Sequence, residues 1–367
     1  PGRPARPGPR PPRPAPARRR ECTLTQCCSG RTPSNCTLAR SCGLFSARQG
    51  QARHSLRVSK RKELDPHLGS EFSRQDALAR GTTRDRLSAS DLSVPFRGAR
   101  SRRVPLASVD DPFEAAHLAL VRRCQQYIPI APRAWAFSHV TAARLYRMPL
   151  PLSLQRRSEL DVAVPRESQP PRRAGVAGHR LGDFAHRAVE ALPVVHPEVA
   201  WRQIAPLLSL DELVIAGDHL DRRKRPASTL DKLARELCNA RGSRGVRVAE
   251  AALLDVRAGT DSPRESVTRL ILVRAGLPEP LVRYTVIDDD GYFVGTPDLA
   301  YPVERIAIEY EGEGHRTDEQ VYEDDIHRRE MFRRAGWLVI LVTARKLQRP
   351  NAVVSEVADA LRERAVR

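Results

Sequence analysis

The run Trp337–Thr343 (WLVILVT) is the strongest constraint the chain places on its own fold. It is almost wholly apolar, it follows Gly336, and before that glycine lies the charged, helix-length stretch Asp318–Ala335. A segment this short cannot cross a bilayer, which takes roughly 18 apolar residues or more, so it reads as a strand buried inside a covered sheet. The surrounding pattern supplies the rest of a layered unit. Ser262 precedes Pro263, with Glu265 three residues after the serine; this opens a helix that Gly276 ends. Leu281–Ile287 and Tyr292–Leu299 read as strands joined by the acidic turn Asp288–Gly291, and Arg305–Glu311 reads as a third. A last helix covers about Ala352–Arg364. The predicted order over residues 258–367 is α-β-β-β-α-β-α.

The acids of this segment fall in a pattern. Asp298 follows Pro297 at the end of the second strand. On the third, Ile306, Ile308 and Tyr310 point one way while Ala307, Glu309 and Glu311 point the other. Neighbouring carboxylates on a buried strand repel each other and lose solvation unless a cation sits between them. Two or three hard oxygen donors on adjacent strand ends suit Mg²⁺ (or Mn²⁺), and such an ion activates water and neutralises a phosphodiester. The competing reading is a solvated acidic edge strand; the apolar flank of IAIEYE argues that the strand is central.

The remaining 257 residues are organised differently. Formal net charge is +18 over the whole chain, with five lysines among the 62 bases. Residues 1–60 hold 13 bases and one acid, nine of the 30 prolines and five of the seven cysteines. Proline at that density removes backbone donors, and the cysteines (22, 27, 28, 36, 42) lack the paired spacing of structural zinc. The expectation is a disordered tail, or sequence translated ahead of the true start. Residues 61–105 read as helix, Gly81 turn, second helix over about Thr82–Ser90 and a basic hairpin at Ala99–Val104. That is the order of a winged helix-turn-helix. Arg84 and Arg86 on the second helix, with Arg97, Arg100, Arg102 and Arg103 on the wing, are candidate phosphate contacts; a helical protein-interaction module is the alternative. Residues 106–257 read as a mixed α/β middle with strands at Leu160–Val164 and Gly175–His179. Helices are predicted at Phe113–Ile128, Ser138–Tyr146, Glu198–Leu207, Leu210–Leu220, Leu230–Asn239 and Val246–Leu254. His139, His179, His186 and His196 have no carboxylate or cysteine at ligand spacing, so they read as solvated or core histidines. The chain length suits two or three domains. No membrane run or signal-peptide core is present, which makes a reduced, cytoplasmic protein the expectation.

Two resemblances sharpen these readings. FSRQDALARGTTRDRLSASDLSVPFRGAR and FSHVTAARLYRMPLP resemble the winged-helix domain and connecting segment of AbiEi-like type IV antitoxins over roughly 65–155. That resemblance implies a module that binds promoter DNA or a protein partner such as a toxin. The order αβββαβ with Pro297-Asp298 and Glu309-x-Glu311 is similar to the PD-(D/E)xK, restriction-endonuclease-like superfamily. IAIEYEGEGH followed by DDIHRREMFRRAGWLVILVT resembles the bacterial Vsr-like nuclease domains over about 258–350. The resemblance implies that Asp298 and Glu309 bind metal, that Glu265 is the acid offered by the first helix, and that His315 orients water or acts as acid and base. Arg328 would contact a phosphate or lock its helix to the site. Glu311 stands where the superfamily has lysine, so the cation that steadies the attacking water is missing.

The combined expectation is an α+β multidomain chain with a winged helix-turn-helix, a mixed α/β middle and a restriction-endonuclease-like core. Its expected activity is a metal-dependent DNA endonuclease. The alternatives are a non-enzymatic DNA-binding regulator or antitoxin with a decayed nuclease fold, and an adaptor with no nucleic-acid role.

Overall fold

A computed structural model describes residues 62–105, 108–182, 184–312 and 319–365. The basic tail 1–60 and His315 lie outside the described residues. The first described unit is small. Ser73 Oγ accepts the N–H of Asp76 at 2.9 Å and opens the helix Arg74–Ala79. The second helix predicted over Thr82–Ser90 is only a 3₁₀ turn at Arg86–Ser88, ended where Ala89 turns extended. Strand Ala99–Arg102 lies between Glu71–Ser73 and Leu92–Ser93, antiparallel to both. Leu64, Leu68, Phe72, Ala77, Leu87 and Leu92 close its core.

The middle is built on a five-stranded mixed sheet. Its order is Val176–Leu181, Leu160–Pro165, Ala136–Phe137, Leu192–Val195, His186–Val189. The predicted helices form, at Pro112–Tyr127, His139–Leu145, Pro197–Ile204, Leu210–Leu220, Leu230–Asn239 and Val246–Leu253. Trp201, Phe137, Ile204, Leu213, Leu220 and Leu233 are fully buried among them. Three of the five strands were not predicted. The hairpin that makes two of them turns through Glu190 and Ala191, both left-handed (φ 49° and 61°), with none of the Asn or Gly that usually marks such a turn.

The C-terminal sheet runs Leu338–Thr343, Ile306–Glu311, Leu299–Tyr301, Leu281–Val282, with the first pair parallel and the rest antiparallel. Ile306, Ile308, Ile340 and Val342 share one face with Leu272 of the helix Pro263–Arg274 and with Val353 and Val357 of the helix Pro350–Ala365. Ala300 and Ala307 face Phe332 of the helix Glu319–Arg334. Gly295 is required there, because a Cβ on it would stand 2.9 Å from the Phe332 ring.

Two predicted strands break. Leu281–Ile287 divides into Leu281–Val282 and Val286–Ile287 around Arg283, which is left-handed at φ 52°. Tyr292–Leu299 divides into Phe293–Gly295 and Leu299–Tyr301 around Pro297, which has no N–H to pair. Ile306–Glu311 is central, as its apolar flank argued. Leu338–Thr343 is at the sheet edge among the described residues, not enclosed on both sides, and its burial alternates.

The boundary at 257 is bridged by one helix. On Pro263–Arg274, Leu270 belongs to the middle core and Leu272 to the C-terminal one. Arg269, 1% exposed, reaches across to Asp218 at 2.9 Å and also donates to the carbonyl of Asp255 at 2.8 Å. Among the described residues no helix is long and apolar enough to cross a membrane.

Candidate active site

The acids meet where the helix Pro263–Arg274 begins beside the central strand. Ser262 Oγ accepts the Glu265 N–H at 3.3 Å, and the Glu265 carboxylate reaches back to the Asp261 N–H at 2.9 Å. The capping role foreseen for Glu265 is therefore real, displaced by one residue. It does not exhaust the side chain, which is 4% exposed. Burial, and then the charge of Asp298, push its carboxyl up to about 7.

Asp298 leaves the strand at Pro297. Its Oδ2 accepts the Tyr310 N–H at 2.8 Å, and its carbonyl accepts the Arg283 N–H at 3.0 Å. Burial raises its carboxyl too, against the opposing Tyr310 N–H and the guanidinia of Arg328 and Arg283. Glu309, 5% exposed, takes the Arg328 Nη2 on Oε2 at 2.8 Å. Glu311 is half-buried and accepts from Arg329 at 3.3 Å. Glu265, Asp298, Arg328 and Glu309 thus form one electrostatically connected row across helix and sheet.

Sequence reasoning missed two members of this row. Asp261 receives Arg223 at 2.7 Å and Arg283 at 2.8 Å, and its charge raises both Glu265 and Asp298. Its position immediately before the Ser-Pro helix start was the available signal. Arg283 was hidden inside a strand pattern that the structure breaks at that residue.

The donors are all carboxylate oxygens, which fits a hard cation chemically. Burial holds two of them, Glu265 and Asp298, above their ordinary values. As placed, however, no group of three or more His, Cys, Asp or Glu among the described residues stands close enough to hold an ion.

The arginines of residues 62–105 separate into two sets. Arg86 makes a bidentate pair with Asp91 at 2.7 and 2.9 Å and donates to the Lys62 carbonyl, so it is a strut of its own module. Arg100 donates to the carbonyls of Leu87 and Ala99, Arg103 to that of Leu92 and Arg102 to that of Gly69. Arg84, Arg97 and Arg103 are exposed, whereas Arg86, Arg100 and Arg102 are half-buried.

A cavity of about 710 Å³ in the middle region contains none of these acids. It is lined by His139 and His179, both read from the sequence as solvated or core histidines, which the fold brings together. The two rings stack 3.7 Å apart, and His179 meets Asp161 at 2.9 Å.

Two curated proteins of Mycobacterium tuberculosis are similar to the chain: Uncharacterized protein Rv2248 of strain H37Rv and Uncharacterized protein MT2308 of strain CDC 1551 / Oshkosh. Each is 29% identical over 153 residues, covering 38% of this chain and 56% of the relative. The chain therefore spans about half the length of the curated relatives it matches. No family model and no solved structure matches it.

Proposed function

We propose that residues 258–367 are a metal-dependent DNA endonuclease that hydrolyses phosphodiester bonds, tethered to a winged-helix module within 61–105 that grips DNA. The observation that carries the reading is the buried row of Glu265, Asp298 and Glu309, two of whose carboxyls burial drives up. A protein rarely keeps such acids together without a cation to meet them. Asp298 and Glu309 would hold Mg²⁺ or Mn²⁺, and Glu265 would face it from the helix. When bound, the ion supplies charge neutralisation on the phosphodiester and a more acidic water.

The chain's own residues do the rest. Glu265, poised near neutrality, can hold or release a proton at working pH. Arg328 screens Glu309 and is placed to meet a phosphate oxygen once that carboxylate turns elsewhere. On the module, the three antiparallel strands with Ala99–Arg102 in the middle support the winged-helix reading, and Arg84, Arg97 and Arg103 are exposed cations on it.

A second reading rests on one observation. Arg328 and Arg329 already bond Glu309 and Glu311, so this site also suits a scaffold that binds DNA, or a toxin partner, without cutting. Incubation with duplex and single-stranded DNA in Mg²⁺, Mn²⁺ or EDTA separates the two. Metal-dependent cleavage is expected, falling by at least about 100-fold in both Asp298→Ala and Glu309→Ala. Cleavage that survives both changes, or none in either metal, sinks the enzyme reading. A DNA shift insensitive to metal and to both substitutions favours the scaffold.

A further inference from the structure

The cavity of the middle region has features that its structural role does not require. Its floor is Asp161, on Leu160–Pro165, and His179, on the adjacent parallel strand Val176–Leu181. Asp161 is 1% exposed; its Oδ1 meets His179 Nε2 at 2.9 Å, but its Oδ2 has no hydrogen-bond partner among the described residues. Opposite, Gln203 of the helix Pro197–Ile204 is 6% exposed. Its Oε1 accepts the His139 N–H at 2.8 Å, and its Nε2 donor is likewise without a partner among the described residues. An unmade bond on a buried polar group costs about 1–3 kcal/mol. One acceptor and one donor thus lie unpaired behind the walls of the same cavity, both sealed from solvent until a side chain turns.

His139 adds a strained backbone. Its φ of 47° puts a non-glycine residue in the left-handed region at the first position of its helix, at a cost of roughly 1 kcal/mol or more. That conformation aims its N–H at Gln203 and stacks its ring on His179. Burial, and then the facing His179, push the His139 imidazole down to about 3, so the ring is neutral at physiological pH. The cationic groups of the rim are therefore arginines. Arg157, Arg180, Arg202 and Arg244 line the cavity against the acids Asp161 and Glu236. Arg202 is paired to Glu236 at 2.7 Å, while Arg180 and Arg244 are exposed at the mouth.

An excess of guanidinium at the mouth calls for an anion. An unpaired carboxylate oxygen beneath the floor calls for a hydroxyl or N–H donor, and an unpaired amide N–H calls for an acceptor, once either side chain turns toward the cavity. The volume lies within the range of small-molecule sites. We propose that this cleft binds a small phosphate monoester bearing hydroxyl or N–H donors, of nucleotide size, with its phosphate at the arginine mouth and its donor end at Asp161, whose unpaired Oδ2 turns outward to meet it. Two sources share that chemistry, a nucleotide and a sugar phosphate. The site is independent of the acids at Asp298 and Glu309 and of any metal there.

The test is calorimetric titration of the full chain in EDTA, which silences a metal site, with AMP, GMP, CMP, UMP, glucose 6-phosphate, adenosine and inorganic phosphate. At least one monoester is expected to bind about tenfold or more tighter than both adenosine and inorganic phosphate. Whether it is a nucleotide or the sugar phosphate identifies the source. Asp161→Asn is expected to weaken that ligand about tenfold. Arg180→Ala with Arg244→Ala, both surface changes that leave the core intact, should weaken it as much. Absence of binding by every monoester up to about 1 mM overturns the proposal and leaves the cavity to solvent. So does binding unchanged in the arginine double variant, which stands even where Asp161→Asn fails to fold.

Discussion

The carboxyl of Glu265 accepts the Asp261 N–H and lies buried beside Asp298, which lifts it from an ordinary 4.5 to about 7. In this direction the folded chain holds the proton more tightly than the unfolded one. The associated stability is therefore complete below the unfolded value and is lost as pH rises from about 4.5 through 7. At 1.36 kcal/mol for each unit, the loss approaches about 3 kcal/mol. Glu265→Gln keeps an oxygen for the Asp261 N–H and removes the charge. Urea midpoints at pH 4.5 and pH 8 should show the wild type losing stability relative to that variant; a difference independent of pH removes Glu265 from the buried row. Asp298 and Glu309 could be singled out because Pro-Asp marks a strand end and Glu-x-Glu sits on a strand whose parity can be counted. Arg86 and Arg100 were misjudged because sequence shows a guanidinium's charge and not the carbonyls or carboxylate it folds back to meet.

Regular patterns gave up their elements and irregular ones did not. Each helix read in the middle region formed within one to three residues of its expected ends, because helical spacing and a cap such as Ser209 with Glu212 announce themselves. Leu192–Val195 and His186–Val189 stayed hidden because their turn uses Glu190 and Ala191 in a conformation that asks for Asn-Gly. Ala191→Gly should relieve that turn by about 0.5–1 kcal/mol, raising Tm by about 1–3 °C in a thermal melt. A lower Tm would mean that glycine's unfolded-state entropy outweighs the relief. The broken strands flanking Asp298 teach the same lesson: one left-handed Arg283 and one proline turn two strands into four, and that break is where the acids gather.

At the scale of the whole chain, the helix Pro263–Arg274 makes the middle and the C-terminal segment one mechanical body. Asp218 is fully buried, and burial raises its carboxyl even with Arg269 alongside and the Arg257 N–H on Oδ1 at 2.7 Å. Removing the arginine leaves that buried acid without its countercharge. Arg269→Met should cost about 3–5 kcal/mol, and adding Asp218→Leu should restore most of it. Calorimetry of the three proteins checks both steps, with the wild type unfolding from residue 60 onward in one transition; two separated transitions would show that the shared helix does not couple the halves. Charge is divided on the same scale. A net of +12 belongs to residues 1–60, and residues 258–367 carry −4, so bulk basicity says little about the acidic row.

The place of Leu338–Thr343 has a consequence for the protein in concentrated solution. A six-residue, nearly apolar strand at a sheet border offers its outer backbone groups as a template to another chain. Short length is one restraint on such association. The other is electrostatic, since the exposed Arg345 and Arg349 follow directly and repel a like neighbour. Repulsion of that kind fades as the Debye length shrinks from about 30 Å at 0.01 M salt to about 3 Å at 1 M. Colloidal stability is thus set by ionic strength at this border, and low-salt buffer favours the dispersed chain.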